Sequence, residues 1–208
     1  MRVLPGGVVE VVLPRRAPAR EASRAVAALT PWIRRRLADV ERQRATIAAR
    51  GNTIPYLGDP LVLVPQAGRT RVRRDGDVLL VPGDADARGG AIERWYRRAA
   101  RGEVEPRLDA ACRALGVRHS RLTIRGQRTR WGSCTAAGAI SINWRLLLAP
   151  EAALDYVVWH EACHLRVMDH SPRFWTLLGT HYPGYAAPRA WLRTSGATLV
   201  LANAGSGT

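Results

Sequence analysis

The chain contains no lysine: all 32 of its basic side chains are arginine. Its 208 residues include only one phenylalanine, two methionines and three cysteines. The cysteines, at positions 112, 134 and 163, are odd in number and scattered, which argues against a disulfide framework and fits a reducing cytoplasm. No apolar run approaches the roughly 18 residues of a membrane span, so no membrane-embedded role is expected. The N-terminus lacks a basic segment followed by a long apolar stretch, so no secretory leader is expected.

Acidic residues are also scarce, and the formal net charge is +15. The excess is even: residues 1–90 carry 16 arginines against 9 acids, and residues 91–208 carry 16 against 8. That distribution excludes a basic tail. With abundant Ala, Gly and Pro, a lysine-free basic excess reads as a compositional bias of the source genome. One local absence survives this discount. From Ala110 to Pro150 there are seven arginines and no acid, and the block directly precedes the most chemically suggestive stretch of the chain. Folded beside a reaction site, it would make the mouth positive and favour an anionic substrate.

That stretch is His160-Glu161-Ala162-Cys163-His164, with His170 following. Two histidines four apart on a helix sit about 40° apart around the axis and one turn along it, so their imidazoles can converge on one metal ion. Glu161 is placed to serve as general base toward water at that metal. The preceding run, Leu154 to Trp159, is apolar and supplies a buried helix. Three histidines with a fourth position open are what a catalytic zinc site requires.

On an unbroken helix His170 would point about 240° away from His164, so the helix must end between them. Asp169 tolerates a turn, and Ser171-Pro172 reads as the N-cap and first position of a new helix running to about Gly179. His181 is the fallback third ligand, and His119 a more remote one. The spacing equals that of metzincins, but Val167 stands where their turn glycine would be. Met168, the only methionine besides Met1, leaves no downstream Met-turn, so a metzincin is excluded.

Several segments together resemble the YgjP-like metallopeptidase-domain family, itself similar to SprT-like and WLM zinc peptidase domains. They are Thr129 to Cys134, Ile140 to Leu146, Asp155 to Val158, the His160–His164 motif, and His170 to Trp175. The likeness runs from about Ile92 to Arg193 and extends weakly to Tyr56-Leu57-Gly58. It implies that His160, His164 and His170 bind zinc and that Glu161 is catalytic. Ala162 stands where the family usually has leucine, which alters helix packing and not the ligand set.

The expected fold class is α+β: a strand-rich N-terminal lobe over 1–90, a zincin-like helical lobe over 91–195 with a short sheet beside the motif helix, and a frayed tail over 196–208. In the first lobe, Val8–Leu13 reads as a strand and Ala19–Leu29 as a helix. Thr30-Pro31 then opens a second helix whose apolar side is Trp32, Ile33, Leu37, Val40 and Ile47, with Arg34 to Arg36 as a solvated face. Thr53–Leu57, Leu61–Val64, Thr70–Arg73 and Val78–Val81 read as strands, with Asp75-Gly76 as a hairpin turn and Asp84 to Gly90 as the boundary. In the second lobe, helices are expected over Ala91–Arg101 and Val104–Leu115, the latter stopped by Gly116. Strands are expected over Leu122–Arg125 and Ala139–Asn143, with Ile140 to Asn143 as the edge that holds substrate backbone. Trp131 and Trp144 read as core anchors.

The expected activity is zinc-dependent hydrolysis, a metallopeptidase in the first instance. Arg130 is the candidate second catalytic group, stabilising charge on a carbonyl or phosphoryl oxygen, or else a buried structural ion pair. Arg125, Arg128 and Asn143 are candidate substrate contacts. The partner is a peptide or an anionic small molecule such as a nucleotide, the latter implying phosphoanhydride hydrolysis. A DNA-associated module ranks last, because no helix-turn-helix, zinc-knuckle or aromatic-stacking signature supports it.

Overall fold

A computed structural model describes residues 2–3, 9–12, 18–127 and 129–201. The chain divides into two compact units, one ending at Gly51 and the other beginning at Asn52. In the first, β1 (Arg2–Val3) pairs antiparallel with β2 (Val9–Glu10), followed by α1 (Ala19–Ala49). The strand expected over Val8–Leu13 is seen at Val9–Glu10; Val8 and Leu13 lie outside the described residues. Instead of two helices meeting at Thr30-Pro31, α1 runs through Pro31. The proline removes a donor from the Ala27 carbonyl, but Val26 to Ala28 are exposed, so water can take its place. The Thr30 hydroxyl donates to the Val26 carbonyl at 2.9 Å and steadies the same turn. Ile33 is buried, Trp32, Leu37 and Val40 are half-buried, and Arg34 to Arg36 are solvated; the Ile47 side chain lies outside those described.

The second unit opens on a four-stranded sheet of β3 (Thr53–Tyr56), β4 (Asp59–Gln66), β5 (Arg73–Asp75) and β6 (Val78–Pro82), in the order β3-β4-β6-β5. β4 and β6 are parallel and the outer pairs antiparallel. The Asp75-Gly76 hairpin is present, with Asp75 opposite Val78 and Gly76 at φ +56°. The β3–β4 turn puts both Leu57 and Gly58 at positive φ, and the Leu57 amide donates to the Leu147 carbonyl at 2.8 Å. The sheet is thereby tied to the segment that leads into the motif helix.

α2 (Ala85–Leu115) is one helix, not two. Its N-cap is Asp84 and its C-cap is Gly116 in the left-handed conformation. Gly102 and Pro106 lie on its exposed face, while Ile92, Tyr96, Ala100, Val104 and Leu108 form an unbroken buried stripe at four-residue spacing. Packing of that stripe outweighs the two local breakers. The boundary expected over 84–90 therefore falls on the cap and first turns of α2, whose stripe shares one core with Ile54, Leu61 and Leu79 of the preceding sheet.

A second sheet, β7 (Arg121–Arg125), β8 (Gly132–Cys134) and β9 (Ala139–Asn143), has the order β7-β9-β8. β9 is central, parallel to β7 and antiparallel to β8. The expected edge at Ile140–Asn143 is thus paired on both sides, and the edges belong to β7 and β8. The three-residue β8 carries too little apolar pattern to be read from sequence. A 3-10 turn (Trp144–Leu148) leads into α3 (Glu151–Cys163), followed by α4 (Pro172–His181) and α5 (Ala186–Ser195). The segment after α5 is not frayed through residue 201: Gly196 is buried, with no room for a side chain against Trp131, and Leu199 and Leu201 are buried. Residues 202–208 lie outside those described. Trp144 is a core residue and Trp131 packs half-buried against the core. Among the described residues no helix is long and apolar enough to cross a membrane.

Candidate metal centre

α3 begins after Pro150 with Glu151 in its first turn, where a negative charge suits the helix dipole. It buries Leu154, Val157, Val158 and Cys163, and His164 closes it at the C-cap. The chain then turns, with the Val167 amide donating to the Cys163 carbonyl at 3.0 Å. Asp169 Oδ1 accepts from the Ser171 amide at 3.0 Å, and Pro172 opens α4. The expected helix break is therefore real, with Ser171 at the N-cap position of α4 although its side chain makes no cap hydrogen bond to the helix.

This corner brings His160, His164 and His170 together. Nε2 of His160 lies 3.2 Å from Nε2 of His164 and 3.0 Å from Nε2 of His170. Three nitrogens at about 2.0–2.1 Å from one tetrahedral ion would be roughly 3.3 Å apart, so this donor set fits a metal. His164 donates from Nδ1 to the Val167 carbonyl at 3.0 Å, which leaves its Nε2 lone pair facing the cluster. The Tyr156 hydroxyl lies 3.5 Å from Nδ1 of His160. Burial foremost, and then His164, His170 and Arg189, push the His160 pKa down to about 3, so the ring is neutral and free to ligate near neutral pH. Burial likewise lowers that of His164. His164 is buried, His160 half-buried and His170 exposed, so the cluster opens to solvent on the His170 side.

Phe174, the chain's only phenylalanine, is fully buried beneath the cluster. Its ring centroid is 4.6 Å from that of His164, 4.8 Å from His160 and 5.0 Å from His170. Trp175 stacks on His170 at 5.7 Å and donates from Nε1 to the His170 carbonyl at 3.0 Å. These rings hold the imidazoles in place, as the outer shell of a metal site does. His181 stacks on Trp159, and His119 lies near Cys112 and Asp109; neither joins the cluster.

Glu161 is 5% exposed, and burial raises its carboxyl pKa to about 8. The side chain lies across the backbone of Gly132 in β8, where a Cβ would fall 2.5 Å from Glu161 Oε1. The edge strand β8 is thereby placed beside the candidate base.

The other candidates are dispersed. Arg125 ends β7 and is exposed, and Arg128 lies outside the described residues. The Arg130 side chain is exposed and makes no ion pair among the described residues, which removes the buried-pair reading. Asn143 is buried: its Nδ2 donates to the Gln127 carbonyl at 2.6 Å and the Arg130 carbonyl at 3.0 Å, and its Oδ1 accepts from the Arg145 amide. Expected at a substrate edge, it instead braces the loop before β8. Gly132, Tyr156, Phe174 and Trp175 lie in the segments that carry the family resemblance but were given no role there, and Arg189 was not singled out. The four-residue spacing of Tyr156 and His160 and the lone phenylalanine two residues after Pro172 were the available signals.

The model of the YgjP-like metallopeptidase domain matches residues 1–195. Comparison with curated proteins found no match. Among solved structures, the crystal structure of the metallopeptidase zymogen of Pyrococcus abyssi abylysin is similar over 45% of this chain and 92% of that one, at 26% identity and a TM-score of 0.39. The family assignment does not depend on that likeness. With a match reaching from the first residue to Ser195, the chain belongs to the YgjP-like metallopeptidase-domain family.

Proposed function

We propose that the chain is a zinc-dependent peptidase in which His160, His164 and His170 hold the metal and Glu161 is the general base. The observation that carries this reading is the convergence of three imidazole Nε2 atoms, with Glu161 adjacent in sequence and the cluster open on one side. Bound zinc supplies Lewis acidity, polarising a carbonyl and bringing the deprotonation of water close to neutral pH. Glu161 accepts the proton of the attacking water at its carboxylate and returns it to the departing amine. Its apolar surroundings raise its proton affinity, which suits a group that must both take and give a proton near neutrality. Phe174 and Trp175 keep the histidines oriented and water out from beneath them. β8 is the strand edge along which a peptide backbone would pair, because it is unpaired on one side and lies against Glu161. Arg130, exposed just before β8, is the proposed stabiliser of charge on the carbonyl oxygen.

Phosphoanhydride hydrolysis needs several cations gripping a phosphate chain, and among the described residues the arginine whose charge bears on His160 is Arg189, outside the arginine-rich block. That favours peptide over nucleotide. Three free cysteines, two of them buried, suit a reducing cytoplasmic location.

The test is an assay of pure protein on a peptide library and a nucleotide panel, with and without chelator, for wild type and Glu161→Gln. The expected result is chelator-sensitive peptide cleavage that Glu161→Gln abolishes while one equivalent of zinc stays bound. Normal turnover by a zinc-loaded Glu161→Gln protein would remove Glu161 as the base. Cleavage confined to nucleotides would remove the peptidase.

A further inference from the structure

We propose that Arg189, with Tyr185 and Trp175, forms a subsite at the rim of the histidine cluster that receives a carboxylate of the peptide substrate. The inference rests on the peptidase reading and adds its substrate class. Tyr185 and Arg189 lie one helical turn apart, the Arg189 amide donating to the Tyr185 carbonyl at 3.2 Å. Both side chains meet the same indole: Tyr185 stacks on Trp175 with centroids 5.7 Å apart, and the Arg189 guanidinium carbon lies 4.3 Å from a Trp175 ring centroid. Trp175 in turn stacks on the exposed His170 ring and holds that residue's carbonyl. An exposed guanidinium is therefore anchored one aromatic ring away from the open side of the cluster.

Arg189 has no carboxylate partner among the described residues. Three arginines of α2 do pair with a carboxylate: Arg97 with Glu93, Arg101 with Glu105, and Arg107 with Glu103. One planar guanidinium matches one carboxylate through two parallel hydrogen bonds, and Trp175 restricts its orientation in advance.

The experiment uses matched peptides that carry Glu, Gln or Lys at one position, scanned along both sides of the cleaved bond. Wild type is expected to favour Glu over Gln by at least about tenfold in kcat/KM at one position, chiefly through KM. Arg189→Gln is expected to shrink that ratio to about twofold or less, Arg189→Lys to retain part of it, and Arg189→Glu to turn the preference towards Lys. Zinc affinity measured on each variant separates loss of the subsite from loss of the metal. Equal wild-type rates on Glu and Gln peptides, or a preference that persists in Arg189→Gln, would overturn the inference and leave the peptidase standing. If no peptide is cleaved, the peptidase reading fails on its own, and binding of the same peptides to the wild-type and Arg189→Gln proteins decides the subsite. A Glu-over-Gln binding preference lost with Arg189 upholds it, and no preference overturns it. Inorganic triphosphate that competes through Arg189 where no acidic peptide binds would assign the position to phosphate and overturn the carboxylate.

Discussion

The carboxylate of Glu161 rests on the backbone of Gly132, leaving no room for even one carbon between the motif helix and the edge strand. A Cβ at position 132 would lie 2.5 Å from Oε1, 2.6 Å from Cγ and 2.8 Å from Cδ of Glu161. The glycine is required by space: its φ is not in the left-handed region. Gly132→Ala should displace Glu161, lowering kcat by about a hundredfold, the scale of a misplaced catalytic group. Zinc stoichiometry should remain at one, since the histidines are untouched. Steady-state kinetics with metal analysis checks both halves.

Removing a ligand should differ sharply from removing another histidine. His160→Ala, His164→Ala and His170→Ala are each expected to weaken zinc binding by more than about a hundredfold, judged against the ten- to hundredfold typical of outer-shell changes. His181→Ala and His119→Ala should bind as wild type, because neither ring joins the cluster. Competition with a chromophoric chelator reads the affinities directly.

Phe174 lies within ring contact of all three histidines and is fully buried. Phe174→Ala should cost about 3–5 kcal/mol of stability through the cavity it leaves. Phe174→Leu should cost less, yet still weaken zinc binding by about tenfold, because the imidazoles lose the surface that orients them. Urea denaturation and zinc titration of the leucine variant separate packing from ligand orientation.

Arg107 joins α2 to α3: Nη1 reaches Glu103 Oε2 at 2.6 Å, Nε reaches Asp155 Oδ1 at 3.0 Å, and Nη2 pairs with Glu151. Burial raises the Asp155 pKa despite the opposing pull of Arg107, so removing the arginine leaves a poorly solvated carboxyl among other acids. Arg107→Met should lower stability by about 1–3 kcal/mol. The loss should shrink in acid, where the carboxyls are protonated, as denaturant midpoints at several pH values would show.

Tyr56 gives the fold an alkaline limit. Burial, followed by the hydrogen bond to Glu103, pushes its phenol from about 10 up to about 12. The folded chain keeps a proton that the unfolded chain loses, so this contribution is complete below pH 10 and is lost as pH rises through 12. In Tyr56→Phe the decline in stability between those two values should be shallower than in wild type, as read by urea midpoints across the range.

The metal motif was legible because it is local. A four-residue spacing dictates one helix face, and Ser171-Pro172 opens a new helix, so the chain must break before it and His170 can turn back with no distant partner needed. The strands β3, β4, β6, β7 and β9 were legible from β-branched runs between turn residues for the same reason. The helix interruptions expected at Pro31, and between Arg101 and Val104, did not occur. A solvated breaker costs little when the opposite face is buried, and burial belongs to the whole fold. The surroundings of Asn143 were not legible because strand order is non-local: β9 is central, and its last residue is buried with its amide on loop carbonyls.

By itself, then, the amino-acid sequence determined the α+β class, the three converging histidines and the carboxylate beside them, all consequences of period and short-range geometry. Tertiary structure alone decided that β8 is the edge beside Glu161, that Gly132 makes room for its carboxylate, and that Arg189 stands over Trp175 next to the cluster. These residues lie far apart along the chain, and their approach is set by how one buried core packs sheets against helices, an outcome that no window of neighbouring residues encodes.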